Sequence, residues 1–313
     1  MSEIQVRSPG LLTTVQDLGR EGFGHLGVSP SGAADPISLR LGNRLVGNPQ
    51  GAAALEMTLL GGTFLFPQGA ILALTGSDFG PTLDGAPLDQ FTAVEVTPGQ
   101  TLRVGSTRSG ARCYLCVRGG IIVKPFLGSA STHLLSGLGG YHGRALRKGD
   151  TLQIGPAVNS FQKKTITARA SEQLTPRKVL RVTPGPQSDW FSKSSLQAFY
   201  AGTYRVTEES NRMGLRLEGK PVVPESGGEM ITEGVSIGAV QITAGGLPII
   251  LFVEQQTTGG YAKIANVISA DLHSLGQLRP RDEIRFEQVD WETARALFRE
   301  QEKLLASEDL LSE

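Results

Sequence analysis

Short apolar runs separated by glycine and proline recur along the chain, as in Phe64-Leu65-Phe66, Ile71-Leu72-Ala73-Leu74, Tyr114-Leu115-Cys116-Val117 and Ile249-Ile250-Leu251-Phe252-Val253. Runs this short, bounded by turn-forming residues, predict a mainly β protein with antiparallel, barrel-like sheets and only a few helices. Two stretches carry helical spacing instead. In residues 36–46, Asp35 is the candidate N-cap, Pro36 the first helical residue, and Ile37, Leu41 and Leu45 repeat on one side before Gly47 and Pro49 end the run. A second helix, starting near Asp290, places Trp291, Ala294, Leu297 and Phe298 on one face. That face is expected to cap the core, with a charged tail behind it.

Between 162 and 177 the apolar pattern lapses, which sets a boundary there. The expected organisation is an N-terminal β lobe over 1–165, a C-terminal β lobe over 176–289, and a helix with tail over 290–313. The lobes end alike. Tyr114-Leu-Cys-Val-Arg-Gly-Gly with Leu146-Arg-Lys-Gly-Asp-Thr-Leu in the first parallels Ile250-Leu-Phe-Val-Glu-Gln-Gln-Thr-Thr-Gly-Gly with Leu278-Arg-Pro-Arg-Asp-Glu-Ile in the second. This ordered match implies two similarly built lobes.

Composition narrows the function classes. Thirty basic and thirty acidic residues in 313 cancel, and no long cationic cluster occurs, which argues against a nucleic-acid groove or an anionic membrane as partner. The first residues lack a charged start and apolar block, and no apolar stretch approaches a membrane span, so a soluble cytoplasmic protein is expected. The two cysteines, Cys113 and Cys116, have C-x-x-C spacing but lie in a predicted strand, where that separation points them to opposite faces. They are expected to be reduced core residues, and no metal site is expected. Generic motifs name no reaction: Gly219-Lys220 is followed by Pro221 rather than Ser or Thr, and the glycine run over 137–143 has the wrong spacing for a dinucleotide fingerprint and reads as turns.

Three segments hold polar residues beside glycines, as sites do where backbone must approach a ligand. The first runs from Thr14 through Gln16, Asp17, Arg20 and His25 to Asp35. The second contains Ser210-Asn211-Arg212-Met213-Gly214, Glu233-Gly234 and Gln241. The third is Glu254-Gln255-Gln256-Thr257-Thr258-Gly259-Gly260-Tyr261-Ala262-Lys263, leading to Asp271. Asp35 also reads as a helix cap, and Asp17 and Glu56 as loop anchors that accept backbone N–H bonds.

At these segments the chain resembles the allophanate hydrolase subunit 2 family, also described as biotin-dependent carboxyltransferases. The resemblance rests on residues 14–20 and 27–35, Gly42-Asn43 through Asn48, Leu55-Glu56-Met57-Thr58, Thr75-Gly76-Ser77-Asp78, Gly119-Gly120-Ile121, Leu127-Gly128-Ser129, Gly143-Arg144, Gly149-Asp150, 210–214 and 256–272. There are departures from the family pattern: Ala130 stands for an Arg, Ala262 for a Pro, and Arg281 for the Gly that precedes the acid. Losing a cation at 130 leaves the role of the 127–133 loop open.

The resemblance implies two tandem cyclophilin-like β-barrel lobes and a subunit of an ATP-dependent 5-oxoprolinase, which opens 5-oxo-L-proline to glutamate. It implies subunits A and B as partners, with ATP and magnesium held here or by a partner. A chain without a biotin-carrier or ATP-grasp segment fits the stand-alone subunit. Two alternatives stay open: a carboxyltransferase using carboxybiotin on a urea-like substrate, and a non-catalytic regulator of a kinase-inhibitor-like partner. Within this reading Arg212 and Arg20 are the candidates for the substrate carboxylate or a phosphoryl group. Asn211 and Gln241 are assigned to the lactam amide, Lys263, Thr257 and Thr258 to oxygen or phosphate contacts, and Gln256 and Tyr261 with the two threonines to the substrate. Asp271 or Glu233 would act as general base.

Overall fold

The computed structural model describes residues 2–157, 162–225 and 229–312. It is mainly β and divides into two compact units that interleave in sequence. The first comprises Met1–Arg20, Ser31–Leu174 and Leu304–Glu313, the second Glu21–Pro30 and Thr175–Lys303.

The first unit contains a seven-stranded and a five-stranded sheet. Ile4, Val6, Phe64, Phe66 and Leu102 from the larger sheet share one buried cluster with Val15, Leu55, Met57, Leu72, Leu74, Cys113 and Leu115 from the smaller. The strand Arg112–Val117 is buried at every position because its sheet is covered on both faces. Cys113 faces the cluster between the sheets, whereas Tyr114 and Cys116 join Leu39 and Leu45 of the helix Pro36–Leu45. Both thiols are free, on opposite faces as the pleat requires, and burial pushes their pKa values up, so neither is a poised thiolate. The helix begins as expected: the Asp35 carboxylate accepts Ser38 N–H at 3.0 Å.

The second unit is built on a closed seven-stranded barrel. Its strands, in order around the barrel, are Val179–Pro184, Lys263–Val267, Ala239–Ile242, Pro248–Leu251, Gly214–Glu218, Tyr204–Val206 and Glu283–Gln288. A parallel pairing of the first and last strands closes it, and closure removes the sheet edges. A separate two-stranded ribbon pairs Glu229–Gly234 with Thr258–Tyr261.

The units divide between Leu174 and Thr175, and the segment before that point carries packed structure: the strand Thr165–Ile166 pairs with Leu311–Ser312, and the helix Ala168–Gln173 buries Ala170, with Leu174 just beyond it. The scattered apolar positions of this segment are too few to show a period. One expectation needs correction. The helix Trp291–Ala306 does start at Asp290, whose carboxylate accepts Thr293 N–H at 2.7 Å, but its predicted face does not cap a core. Trp291 is 65% and Phe298 40% exposed, and the helix is anchored by its last turn, where Leu305 is buried. Amphipathic spacing reports a stripe without saying what covers it. Among the described residues no helix is long and apolar enough to cross a membrane.

The matching lobe ends are a real structural repeat. Val6 N–H donates to Asp150 O at 2.9 Å and Gly149 N–H to Val6 O at 2.8 Å, while Val206 and Arg281 make the same two bonds around Asp282 at 3.0 and 2.7 Å. Each aspartate caps its own turn, Asp150 accepting from Arg147 N–H and Asp282 from Arg279 N–H. Gly149 has φ +92°, and Arg281, at the equivalent position, is held at φ +74°. A left-handed conformation costs a residue with a Cβ roughly 1–2 kcal/mol. The Arg281–Glu208 ion pair at 3.0 Å offsets little of this, being 81% and 67% exposed. Arg281→Gly is therefore expected to stabilise the protein by up to about 1 kcal/mol, after the greater flexibility of glycine in the unfolded chain is set against the relieved strain. Urea denaturation checks this, and a lower midpoint would contradict it.

Candidate functional site

The barrel pleat sets out the site. Along Gly214–Glu218, Leu215 and Leu217 are buried while Arg216 and Glu218 are exposed. Gly214 and Arg216, Ile249 and Leu251, and Gln241 and Thr243 are alternate residues on three neighbouring strands, and together they line one side of a cavity of about 210 Å³. Asn211 and Met213 from the preceding turn, with Gln256 and Tyr261, complete it. Four expected residues, Asn211, Gln241, Gln256 and Tyr261, are thus brought together.

The amide groups in this cavity are partly committed. Asn211 Oδ1 accepts Met213 N–H at 2.8 Å, which leaves its Nδ2 to donate. Gln241 is 1% exposed, and its Nε2 has no hydrogen-bond partner among the described residues. A buried donor in that state is costly and marks a place for an acceptor from outside the chain. Gly259 allows this arrangement, because a Cβ there would meet Gln241 Nε2 at 2.5 Å and Gln256 Nε2 at 3.0 Å. The recess thus gathers the amide groups of Asn211, Gln241 and Gln256 beside the apolar Met213, Ile249 and Leu251.

A second cavity of about 690 Å³ gathers Glu233, Thr257, Thr258 and Lys263, with His25, Ser236 and Asn266. Lys263 is the cross-strand partner of Gln241 past a β-bulge, so the two cavities neighbour each other. Lys263 Nζ lies 2.6 Å from Glu233 Oε1, and Gln187 Nε2 donates to the same oxygen at 3.0 Å. The Lys263 ammonium, then the Gln187 amide, hold the Glu233 carboxyl below its usual range.

The other candidate residues lie elsewhere. Arg212 lines neither cavity: it alternates with Asn211 and Met213, is buried, and donates through Nε to Glu254 Oε1 at 2.5 Å. Arg20 belongs to the first unit, where it donates to Phe126 O at 3.2 Å and to Ser131 O and stacks on the Phe126 ring, holding the 126–131 loop. Asp271 is fully buried and bonded through both oxygens to Arg181, as well as accepting Arg181 N–H at 2.8 Å, so it ties the short helical turn Ser269–Asp271 to the barrel strand Val179–Pro184. Neither expected base is well suited to the task, since Asp271 is enclosed and Glu233 is made less basic by Lys263.

The 127–133 loop is held by Arg20 on its carbonyls and by the Asp17 carboxylate on its donors. Ala130 N–H and Ser131 Oγ donate to Asp17, at 2.6 and 2.5 Å, as the anchoring reading of Asp17 requires. Glu56 likewise accepts Ala34 N–H at 2.8 Å. Among the described residues no group of three or more His, Cys, Asp and Glu is placed to hold a metal ion. Lining residues the motifs missed include Arg216, Thr243, Ser236 and Asn266. For Arg216 a signal existed: the alternation Leu215-Arg216-Leu217 turns it to the same face as Gly214.

Removing one partner of the buried Arg212–Glu254 pair leaves an uncompensated charge, so Arg212→Ala is expected to cost about 3–5 kcal/mol of unfolding free energy, seen by chemical denaturation. A variant of unchanged stability would refute the structural role. The Glu233–Lys263 contact favours the ionised carboxylate, so it is present at neutral pH and is lost as pH falls through the lowered Glu233 pKa. Side-chain NMR titration should place Glu233 below about 4.3, the ordinary glutamate value, and Lys263→Met should raise it.

Three comparisons bear on this geometry. A family model described as Carboxyltransferase domain, subdomain A and B matches residues 26–288. The C-type 5-oxoprolinase subunit of Escherichia coli strain K12 is 38% identical over 291 residues, covering 93% of each chain. The crystal structure of the K. lactis urea amidolyase superposes with a TM-score of 0.91 at 33% identity, over 99% of this chain but 21% of that one.

Proposed function

Because the chain belongs to the carboxyltransferase-domain family of subdomains A and B, we propose that it is the C-type subunit of an ATP-dependent 5-oxoprolinase, working with A- and B-type partners to open 5-oxo-L-proline to L-glutamate. The observation that carries this reading is the free, buried Nε2 of Gln241 in a cavity of about 210 Å³. That space is below the roughly 300–1,000 Å³ of sites for drug-sized ligands and suits a small cyclic amide. The matching length of the E. coli 5-oxoprolinase relative supports the same substrate class.

A lactam carbonyl is a poor electrophile. In this reading Gln241 Nε2 and Asn211 Nδ2 donate to its oxygen, and their bonds strengthen as negative charge develops there. Gln256 and Tyr261 orient the ring from the open side, and Gly259 keeps both glutamine amides close. ATP hydrolysis in the assembled enzyme would activate the amide for attack by water. A phosphoryl group fits the Lys263, Thr257 and Thr258 cavity poorly, because Glu233 already occupies the ammonium and would repel an anion. We therefore assign ATP and magnesium to the partner side of the complex, and Lys263 with its threonines to neutral oxygen contacts.

The carboxyltransferase reading is favoured by one fact, the close superposition on a urea amidolyase. Urea, a biotin ureido ring and 5-oxoproline all present N–H beside C=O, and the same amides would read each. Reconstitution separates the readings. The isolated chain should release no glutamate from 5-oxoproline, the assembled subunits should do so with ATP, and avidin should leave that rate unchanged. Turnover by the isolated chain, or avidin inhibition reversed by biotin, would overturn the proposal. Gln241→Ala in the complex is expected to lower kcat/KM by about 100-fold with the fold intact, as for loss of an oxyanion donor.

A further inference from the structure

We propose that Arg216 reads the carboxylate of a small lactam acid whose ring amide lies against Gln241, and so selects carboxylate-bearing lactams over the bare ring. The inference rests on the lactam-opening reading above and assigns a residue to the acid group that this substrate carries. Arg216 is the direct cross-strand partner of Ile249, and Ile249 is that of Gln241. The three side chains therefore share one face of the sheet, with Arg216 and Gln241 two strand spacings apart, about 9–10 Å. Ile249 forms the floor between them. In 5-oxoproline the carbonyl and the carboxylate flank the same ring nitrogen, so groups that bind both must stand side by side. A glutamine and an arginine that flank one apolar residue on the same face of the sheet meet that condition.

The other cations expected near the substrate are committed elsewhere. Arg212 is bonded to buried Glu254 and Lys263 to Glu233, while Arg20 holds the 126–131 loop. Arg216 instead lines the cavity itself. Its ion-pair contact with Glu209 is 3.9 Å long, with the two side chains 53% and 80% exposed. Solvent screens such a contact, and an incoming carboxylate offering two oxygens to the guanidinium fork would displace it readily.

The test uses the assembled complex with 5-oxoproline as substrate and 2-pyrrolidinone, the same ring without the carboxylate, as competitor. Arg216→Gln should lower kcat/KM for 5-oxoproline by about 30-fold, chiefly through KM, because a charged hydrogen bond made in both ground and transition states is lost. The inhibition constant of 2-pyrrolidinone should stay the same. Arg216→Lys should recover part of the loss. Arg205→Gln, which removes a barrel cation that pairs with Glu218 outside this cavity, should leave turnover unchanged. A 5-oxoproline KM in Arg216→Gln within about twofold of wild type, or an equal weakening of 2-pyrrolidinone, would overturn the assignment while leaving the lactam reading standing. A wild-type complex that neither binds nor turns over 5-oxoproline would remove the lactam reading, and this assignment with it.

Discussion

Closure of the barrel is the constraint on which the site depends. Once the strand Val179–Pro184 pairs with Glu283–Gln288, each strand has two neighbours and its register cannot slip by one residue without turning buried side chains outward. Leu215, Leu217, Val240, Ile242 and Ile250 are buried. Their alternates, Gly214, Arg216, Gln241, Ile249 and Leu251, must then share the opposite face. These five residues are thus held by the same hydrophobic burial that stabilises the unit, on strands rather than on loops, whereas Asn211 and Gln256 reach the site from the segments beside them.

That placement includes a local cost. An unpaired amide N–H buried as fully as Gln241 Nε2 destabilises a fold by roughly 1–3 kcal/mol. Packing alone would favour an apolar side chain at that strand position, next to Val240 and Ile242. The neighbouring backbone leaves room for the amide: a Cβ at Gly259 would meet Gln241 Nε2 at 2.5 Å and oblige that side chain to move. A donor retained at cost, with a glycine making room for it, is what differential binding of a polar ligand requires.

Features set by a few adjacent residues were legible in the sequence. Asp35 with Pro36 encoded a helix start, the C-x-x-C spacing in a strand encoded two faces, and the Gly149-Asp150 and Arg281-Asp282 turns encoded an internal repeat. The polar, glycine-flanked segments also pointed to Asn211, Gln241, Gln256 and Tyr261, because backbone approach and polar side chains occur together there. What could not be read was which charged groups neutralise one another. Arg212 finds Glu254 across 42 residues, and Arg181 finds Asp271 across 90. Such pairings are products of the barrel's strand order, and no local pattern distinguishes a cation spent in the interior from one offered to a ligand. The helix Trp291–Ala306 shows the same limit for apolar residues, since its spacing defines a stripe but not a cover.

The two cavities are joined by an element outside the barrel. In the ribbon formed by Glu229–Gly234 and Thr258–Tyr261, Glu233 stands opposite Gly259 and Gly234 opposite Thr258. One side of this pairing therefore carries the carboxylate that engages Lys263, and the other carries the glycine against Gln241 and Gln256. A displacement of the ribbon would change the spacing at both cavities together, because neither Glu233 nor Gly259 is fixed by a barrel strand. The Lys263–Glu233 contact links the ribbon to the barrel at the strand that pairs with Gln241. That ion pair is thus better understood as the tether that sets the ribbon over the amide site than as a source of acid or base.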